Sequence, residues 1–588
     1  MSLGTDLRAL VSKERLRRFV EGITRFERPS GTPGEMQALE FMKSELKKSG
    51  VEGEIIPLTA WISMPKSASL DVLAPEKFSI PCKTRAFSPT TPEQGVEGEL
   101  IYVDTVAETG KATSIFEYRG KETDGAFAEI DVTGKMVLSR SGGPDGYYAA
   151  QNAGALGQIA LWPSDENVIH EMTVNGVWGT ATPDTASRLP RMPTVTVNND
   201  DGERLVALCN KGPVIVRLGA KANTRWETIY LLTALIPPST GSPLFTMVGA
   251  HHCSWHFGCT DNATGDACLL ELANNINQRR SDLKHGVRFC WWPGHSQGRY
   301  AGSTWFIDNH FEDLNKNCIG YLNIDSPGVK GATEYEGRYI MAEIESLVLG
   351  AIKKVTGQDA PIKRPYRAGD QSFLNAGLTS MGAYSMLPAS SPDRALVGGC
   401  AGAWWWHSEE DTIDKWSDEV LTQDTEIYLE LLAGLSTSAV IPFAITNIAN
   451  HLAERVNEIE KEDDTGFDMS QARKSIANFR AQGEKLAEVI PGVTDGDDVA
   501  RVNSTLLCVC RTMNSVLYSV AGNYEQDSAL QQPVLPSLSK LFSLGSMDSS
   551  SSDYHFLKTY LVRERNRLAD TLDRSARLMS DTAEIVKS

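Results

Sequence analysis

At 588 residues the chain is too long for one compact core, and two to four domains are expected. Apolar residues make up 41% and charged residues 22%, which excludes global disorder. With 57 basic against 75 acidic side chains the formal charge is −18, the wrong sign for a nucleic-acid backbone. The N-terminal stretch has no apolar core followed by a cleavage site, and no apolar run approaches a membrane span. Neither a leader nor a membrane partner is therefore expected. The ten scattered cysteines read as free thiols in a reducing cytoplasm.

In chain order, 7–22 and 35–49 read as amphipathic helices and VEGEIIPLT as a strand. From 62 to 222 short apolar strands alternate with Gly, Pro, Asp and Thr: 98–104, 134–140, 158–163, 194–198 and 213–219. One helix-like stretch, 147–157, sits among them. Strands separated by helix-length segments resume at 229–237 and 243–250, with a helix at 262–277. A strand at 287–292, a helix at 303–311, a strand at 318–325, a helix at 339–356 and a strand at 378–386 follow. That alternation predicts an α/β fold, a mostly parallel sheet with helices on both faces, whose ligands bind beyond the strand ends. After 415 the pattern is helical, and 555–583 is strongly amphipathic. That tail packs on its own domain or joins two copies of the chain; amphipathicity alone does not decide. The divisions are 1–61 with 223–435 for the α/β domain, 62–222 for the β-rich insert and 436–588 for the helical part.

Four residues stand at or just after predicted strand ends: His251, Asp261, Asp325 and His407. Imidazole nitrogen and carboxylate oxygen are the donors that Zn²⁺ prefers, and one aspartate can bridge two ions. A lone histidine is as often structural as functional; four such residues beside strand-end turns lower that reading.

The segments carrying these residues resemble the M28 family of zinc aminopeptidases and carboxypeptidases. The matching segments are GAHHCSWHFGCTDNATGDACLLELA, VRFCWWPGHSQGRYAGSTWF, YLNIDSPG and HSEEDT. The 62–222 insert is similar to a protease-associated domain, and the helical part to the dimerisation domain of larger members. The resemblance implies that His251 and Asp325 bind one metal with a bridging Asp261, and that His407 and Asp261 hold a second. It implies one or two Zn²⁺ per chain, with Mn²⁺ or Co²⁺ as substitutes, and a homodimer. Asp411 and Asp370 would steady the ligands from behind.

The chain departs from that pattern twice. Cys253 replaces an aspartate two residues after the first ligand, and reads as a buried thiol in preference to a soft ligand. The adjacent glutamate pair, one a general base and one a ligand, is absent. Aligning from the strand puts His295 and Ser296 there; aligning from Gly302 and Ser303 puts Ser296 and Gln297 there. Three readings stay open. His295 replaces the glutamate ligand; or His295 is a general base, in a hydrolase or in a lyase or isomerase; or the site is inactive and the fold serves binding. Glu409 and Glu410 are further candidates for a base. On the substrate side, Arg299, Arg364, Tyr366 and Arg367 are candidates for reading a carboxylate. Trp292 and Trp406 are candidates for an apolar pocket wall, beside Trp255, Trp291, Trp404 and Trp405. The loop 398–403 is glycine-rich enough for close approach to a ligand. The leading expectation is a metal-dependent hydrolase of a small peptide, amide or amino-acid conjugate.

Overall fold

The computed structural model describes residues 3–105, 127, 130–140, 143–395, 398–463 and 465–587. The strands in chain order are β1 Gly53–Ala74, β2 Phe78–Ile80, β3 Lys83–Thr84, β4 Val96–Val103, β5 Met136–Arg140, β6 Gly157–Leu161 and β7 Thr194–Val197. They continue with β8 Val214–Ile236, β9 Phe245–His251, β10 Gly286–Trp292, β11 Cys318–Asn323, β12 Glu334–Gly337, β13 Thr379–Met381 and β14 Ala383–Met386. One mixed sheet runs β13-β11-β9-β10-β8-β4-β5-β6-β7-β3, with β1 paired to β8 and β2. β13, β11, β9 and β10 are parallel, as are β4 to β7. Helices flank the first group and the C-terminal region is largely helical.

The expected short strands 229–237 and 213–219 are one strand. β8 pairs antiparallel with β1 along a single ladder from Gly53↔Ala234 to Ala74↔Ile215. Two β-branched and apolar runs joined without a Gly-Pro break prolong the strand instead of ending it. A two-stranded ribbon thus carries the sheet from the α/β part into the insert. The expected helix 7–22 is also two, Leu3–Arg8 and Lys13–Ile23, because the Ser12 side chain caps the second by accepting the Arg15 N–H at 3.3 Å. The expected strand 378–386 breaks at Gly382 into β13, in the main sheet, and β14, which pairs with β12 apart from it.

Period-two alternation distributes the central strands between two cores. Val248, Ala250, Phe289 and Trp291 face the helices Lys13–Ile23, Pro33–Lys48, Thr264–Gln278 and Asp418–Thr437. Met247, Cys290 and Trp292 face the other side with Phe306 of the helix Ala301–Asn317. Trp292 is therefore core and not a pocket wall. Its indole N–H donates to Tyr321 Oη at 2.9 Å across Gly249, where a Cβ would lie 2.2 Å from the indole nitrogen.

In the helical part, Leu561, Leu568 and Leu572 of the helix Ser552–Lys587 are buried against Ser470–Val489 and Gly496–Tyr518 of the same chain. No helix among the described residues is long and apolar enough to cross a membrane. The sequence made Arg367 a substrate reader, but its guanidinium lies in a buried ion pair with Asp527 and donates to the Tyr518 carbonyl at 2.8 Å. Asp527 also accepts the Val520 and Ala521 N–H groups, so this pair joins the two parts. Removing one partner strands a buried charge. Asp527→Ala is expected to cost about 3–5 kcal/mol, seen as a lowered denaturant midpoint, while loss of the exposed Lys316–Glu312 pair leaves the midpoint in place.

Candidate metal centre

The centre is built at the C-terminal ends of the parallel strands. β9 ends in His251, and Asp325 follows β11 by two residues. Between them the chain makes a loop held from inside by Arg28, which is fully buried. Its guanidinium donates to the carbonyls of His252 (2.9 Å), Phe257 (2.8 Å) and Gly258 (2.9 Å), and its backbone N–H to Ser254 Oγ. The loop delivers Asp261 to the start of the helix Thr264–Gln278.

Asp261 stands between two histidines. Its Oδ1 is 3.0 Å from His251 Nε2 and its Oδ2 is 3.1 Å from His407 Nε2. His251 Nε2 is also 3.6 Å from Asp325 Oδ1. Yet His251 Nε2 is buried and makes no hydrogen bond with proper geometry. His251 Nε2 thus faces Asp261 and Asp325 together, and the nitrogen and oxygen donor set is the one a divalent metal takes. Burial opposes charge on all three, but the mutual contacts win. His251 is raised well above the ordinary imidazole value, and Asp261 is held well below the carboxylate range by His251 and His407. Asp325 is lowered by His251.

Three histidines share one tautomer. His251 Nδ1–H donates to the Cys253 carbonyl (2.9 Å), His407 Nδ1–H to the Glu171 carbonyl (2.7 Å) and His295 Nδ1–H to Asp370 Oδ2 (2.8 Å). In its neutral form each offers a lone pair on Nε2, the form a metal ion would select. His252 differs: its Nε2–H donates to the Tyr230 carbonyl, and burial pushes its pKa down to about 3, so it is a neutral core residue.

Asp411 fixes the bridging residue from behind. It accepts the Thr260 N–H (2.9 Å) and hydroxyl (2.7 Å) on one oxygen and the Asp261 N–H (2.9 Å) on the other. Asn262 ties the same turn to the Asp325 flank, donating to the Ile324 carbonyl and accepting the Ser326 N–H. Asp370, buried, accepts the Ser303 hydroxyl on the oxygen that His295 leaves open. Cys253 is buried. Its carbonyl holds His251 and its Sγ accepts the His295 N–H at 3.2 Å.

Of the two alignments of the altered loop, the structure places His295 at the centre. Ring nitrogens of His251 and His295 and an Asp325 oxygen lie within 4.8 Å of one another. Gln297 points away, donating to the Ser254 carbonyl. Ser296 is half-buried beside it, its carbonyl accepting the Arg299 N–H. Among the described residues no group of three ligand atoms within 4.8 Å includes His407 or Asp261; Asp261 meets His407 and His251 pairwise.

Other candidates lie elsewhere. Glu409 and Glu410 are exposed, and Glu409 pairs with Lys83 at 2.7 Å. A charged, hydrated carboxylate already held by an ammonium is not a base for the centre. Glu409 does join Glu171 and His256 in a second cluster within 4.8 Å, but Lys83 Nζ, 3.2 Å from Glu171, already supplies the cation there. Arg299 is buried, donating to Tyr300 Oη and the Ala529 carbonyl, and Arg364 pairs with Glu345. Tyr366 packs on Tyr339 with ring centroids 4.7 Å apart. Trp406 stacks on His407 at 3.7 Å, and the 398–403 loop packs beneath it through Gly399. The sequence reading missed Arg28, Ser303 and Glu171. Glu171 acts through its backbone carbonyl, which leaves no side-chain signature.

Comparison with known proteins follows the same region. Residues 232–432 match the model of peptidase family M28. A probable glutamate carboxypeptidase of Zea mays is 22% identical over 410 residues, covering 61% of this chain and 54% of the relative. Carboxypeptidase Q of Xenopus laevis is 23% identical, covering 75% and 87%. The chain spans about half the length of the probable glutamate carboxypeptidases it matches. Among solved structures, an aminopeptidase from Aneurinibacillus sp. strain AM-1 superposes with a TM-score of 0.56 at 20% identity, over 74% of this chain and 96% of the other. A peptidase M28 precursor from Shewanella amazonensis gives 0.56 at 19%, over 75% and 96%.

Partners such as Asp411 set ligand orientation, and losing one costs metal affinity about 10–100-fold. Asp411→Ala is therefore expected to weaken metal binding by that factor in a chelator competition titration. Unchanged affinity would show that Asp261 is held without it.

Proposed function

We propose that this chain, which has an M28-family zinc-peptidase-like fold, is a metal-dependent hydrolase of peptide or amide bonds whose general base is His295. The observation that carries the proposal is the approach of Asp261 (3.0 Å) and Asp325 (3.6 Å) to His251 Nε2, with the His295 ring held beside them by Asp370. Zinc suits this mixed nitrogen and oxygen set. The ion would be held by His251, Asp261 and Asp325, with His407 on the far oxygen of Asp261. It supplies Lewis acidity toward a carbonyl oxygen and toward water.

His295 is read as a base and not as a ligand. Its ring stacks on that of His251 with centroids 3.9 Å apart and planes inclined by 22°. Face-to-face packing and the Asp370 hydrogen bond steady this ring without requiring an ion between the two imidazoles. With Nδ1–H on Asp370, His295 Nε2 takes a proton from the attacking water and returns it to the leaving amine. Asp370 keeps the tautomer and stabilises the imidazolium, and the Ser303 hydroxyl fixes Asp370 in turn. This His-Asp pair does the work for which the related pattern uses a glutamate.

Two measurements test this reading. Metal analysis of the purified chain should find one tightly held equivalent, lost in His251→Ala together with amide hydrolysis. His295→Ala should keep that equivalent and lose about 10²–10⁴-fold in kcat. If His295→Ala releases the metal instead, His295 is a ligand. If a metal-loaded wild type cleaves no member of a dipeptide and acyl-amino-acid panel, the hydrolase reading fails.

A further inference from the structure

A second recess lies far along the chain from the metal ligands. It is a cavity of 960 Å³ between the β8–β9 turn, the end of the helix Ala301–Asn317 and the helix Gly496–Tyr518. In a chain of net charge −18 its wall includes Lys284, His285, Lys316 and Arg511, and no aspartate or glutamate. Lys316 is spent on Glu312, but Lys284 has no carboxylate partner among the described residues.

Arg511 is the decisive group. It is 8% exposed, and one guanidinium nitrogen donates to the carbonyls of Leu314 (3.1 Å) and Cys318 (2.6 Å). That contact caps the end of the helix Ala301–Asn317, an ordinary role for a cation at a helix C-terminus. It does not use the whole group. Arg511 Nε is buried with no hydrogen bond, and no ion pair among the described residues includes Arg511. Buried charges are normally paired with an opposite charge, because partial dipoles leave much of the desolvation cost standing. An anion in the adjoining cavity would supply the opposite charge that the two carbonyls do not. Leu244, Val499 and Leu507 add an apolar strip to a wall that also carries Thr240, Asn315, Asn503 and Asn523.

We propose that this cavity binds a small organic anion, its carboxylate or phosphate head on Arg511 and Lys284 and a short apolar body against Leu244 and Leu507. The site is separate from the metal centre and does not depend on the proposed reaction.

Octanoate, inorganic phosphate and octanol are the probes, titrated calorimetrically into the full chain. Octanoate should bind at one per chain, and Arg511→Gln should weaken it at least 10-fold. Because Arg511 also caps a helix, Ser504→Glu supplies the second variant: Ser504 is an exposed wall residue, and a negative charge there should abolish binding without touching the cap. Cys508, an exposed thiol on the same wall, localises the event, since octanoate should slow its alkylation. Octanoate binding that survives both variants, or none at millimolar concentration, overturns the proposal. Octanol binding as tightly as octanoate overturns the charged head, and inorganic phosphate binding as tightly as octanoate overturns the apolar body.

Discussion

The centre depends on the placement of one carboxylate, Asp261, between two imidazoles that come from opposite ends of the α/β part. His251 ends β9, and His407 lies more than 150 residues later. Nothing local makes these residues meet. Asp411 forces the geometry by gathering the backbone of Thr260 and Asp261 onto its two oxygens. Arg28 then closes the loop between His251 and Asp261 from below. Both supports are buried charges, costly to place and disruptive to remove, so the turn has few alternatives. The ligands inherit that rigidity, which is what a site of fixed coordination requires.

The insert is part of this constraint and not an appendage. β1 and β8 run through it as one ribbon, and its Glu171 carbonyl holds the tautomer of His407. Lys83 of β3 bridges Glu171 to Glu409 on the other side of the seam. Movement of the insert would therefore be felt at His407 before it reached His251, whose Nδ1 is tied to its own strand-end loop.

How far the sequence carries follows from which signals are local. Strands β9, β10 and β11 were legible because they are short, apolar and bounded by turns, and their ends named the ligand candidates. The continuity of β1 and β8 was not legible, because a strand passing from one part to another looks like two strands in two parts. Trp292 and Arg367 were misread for the same underlying reason. A tryptophan or arginine next to ligand segments is equally well explained by a pocket or by a core contact, and only the facing partner, Tyr321 or Asp527, decides. The two registers of the loop after Pro293 were separated by the burial of Gln297 against Ser254, a long-range contact with no sequence trace.

In the proposed reading, a histidine base where the related pattern has a glutamate pair changes more than the identity of the base. A carboxylate needs no partner to choose its proton, whereas an imidazole must have one nitrogen committed before the other can act. Asp370 makes that commitment, and the Ser303 hydroxyl commits Asp370. Ser303 belongs to the Gly-Ser start of the helix Ala301–Asn317, so the helix that follows the altered loop also supports His295 through Asp370. The stack on His251 sets the remaining degree of freedom, the tilt of the ring. A histidine with its tautomer, its partner's partner and its ring plane all fixed is pre-organised for one proton transfer. A retired site has no use for that set of contacts, which is the physical case for catalysis over mere retention of the fold.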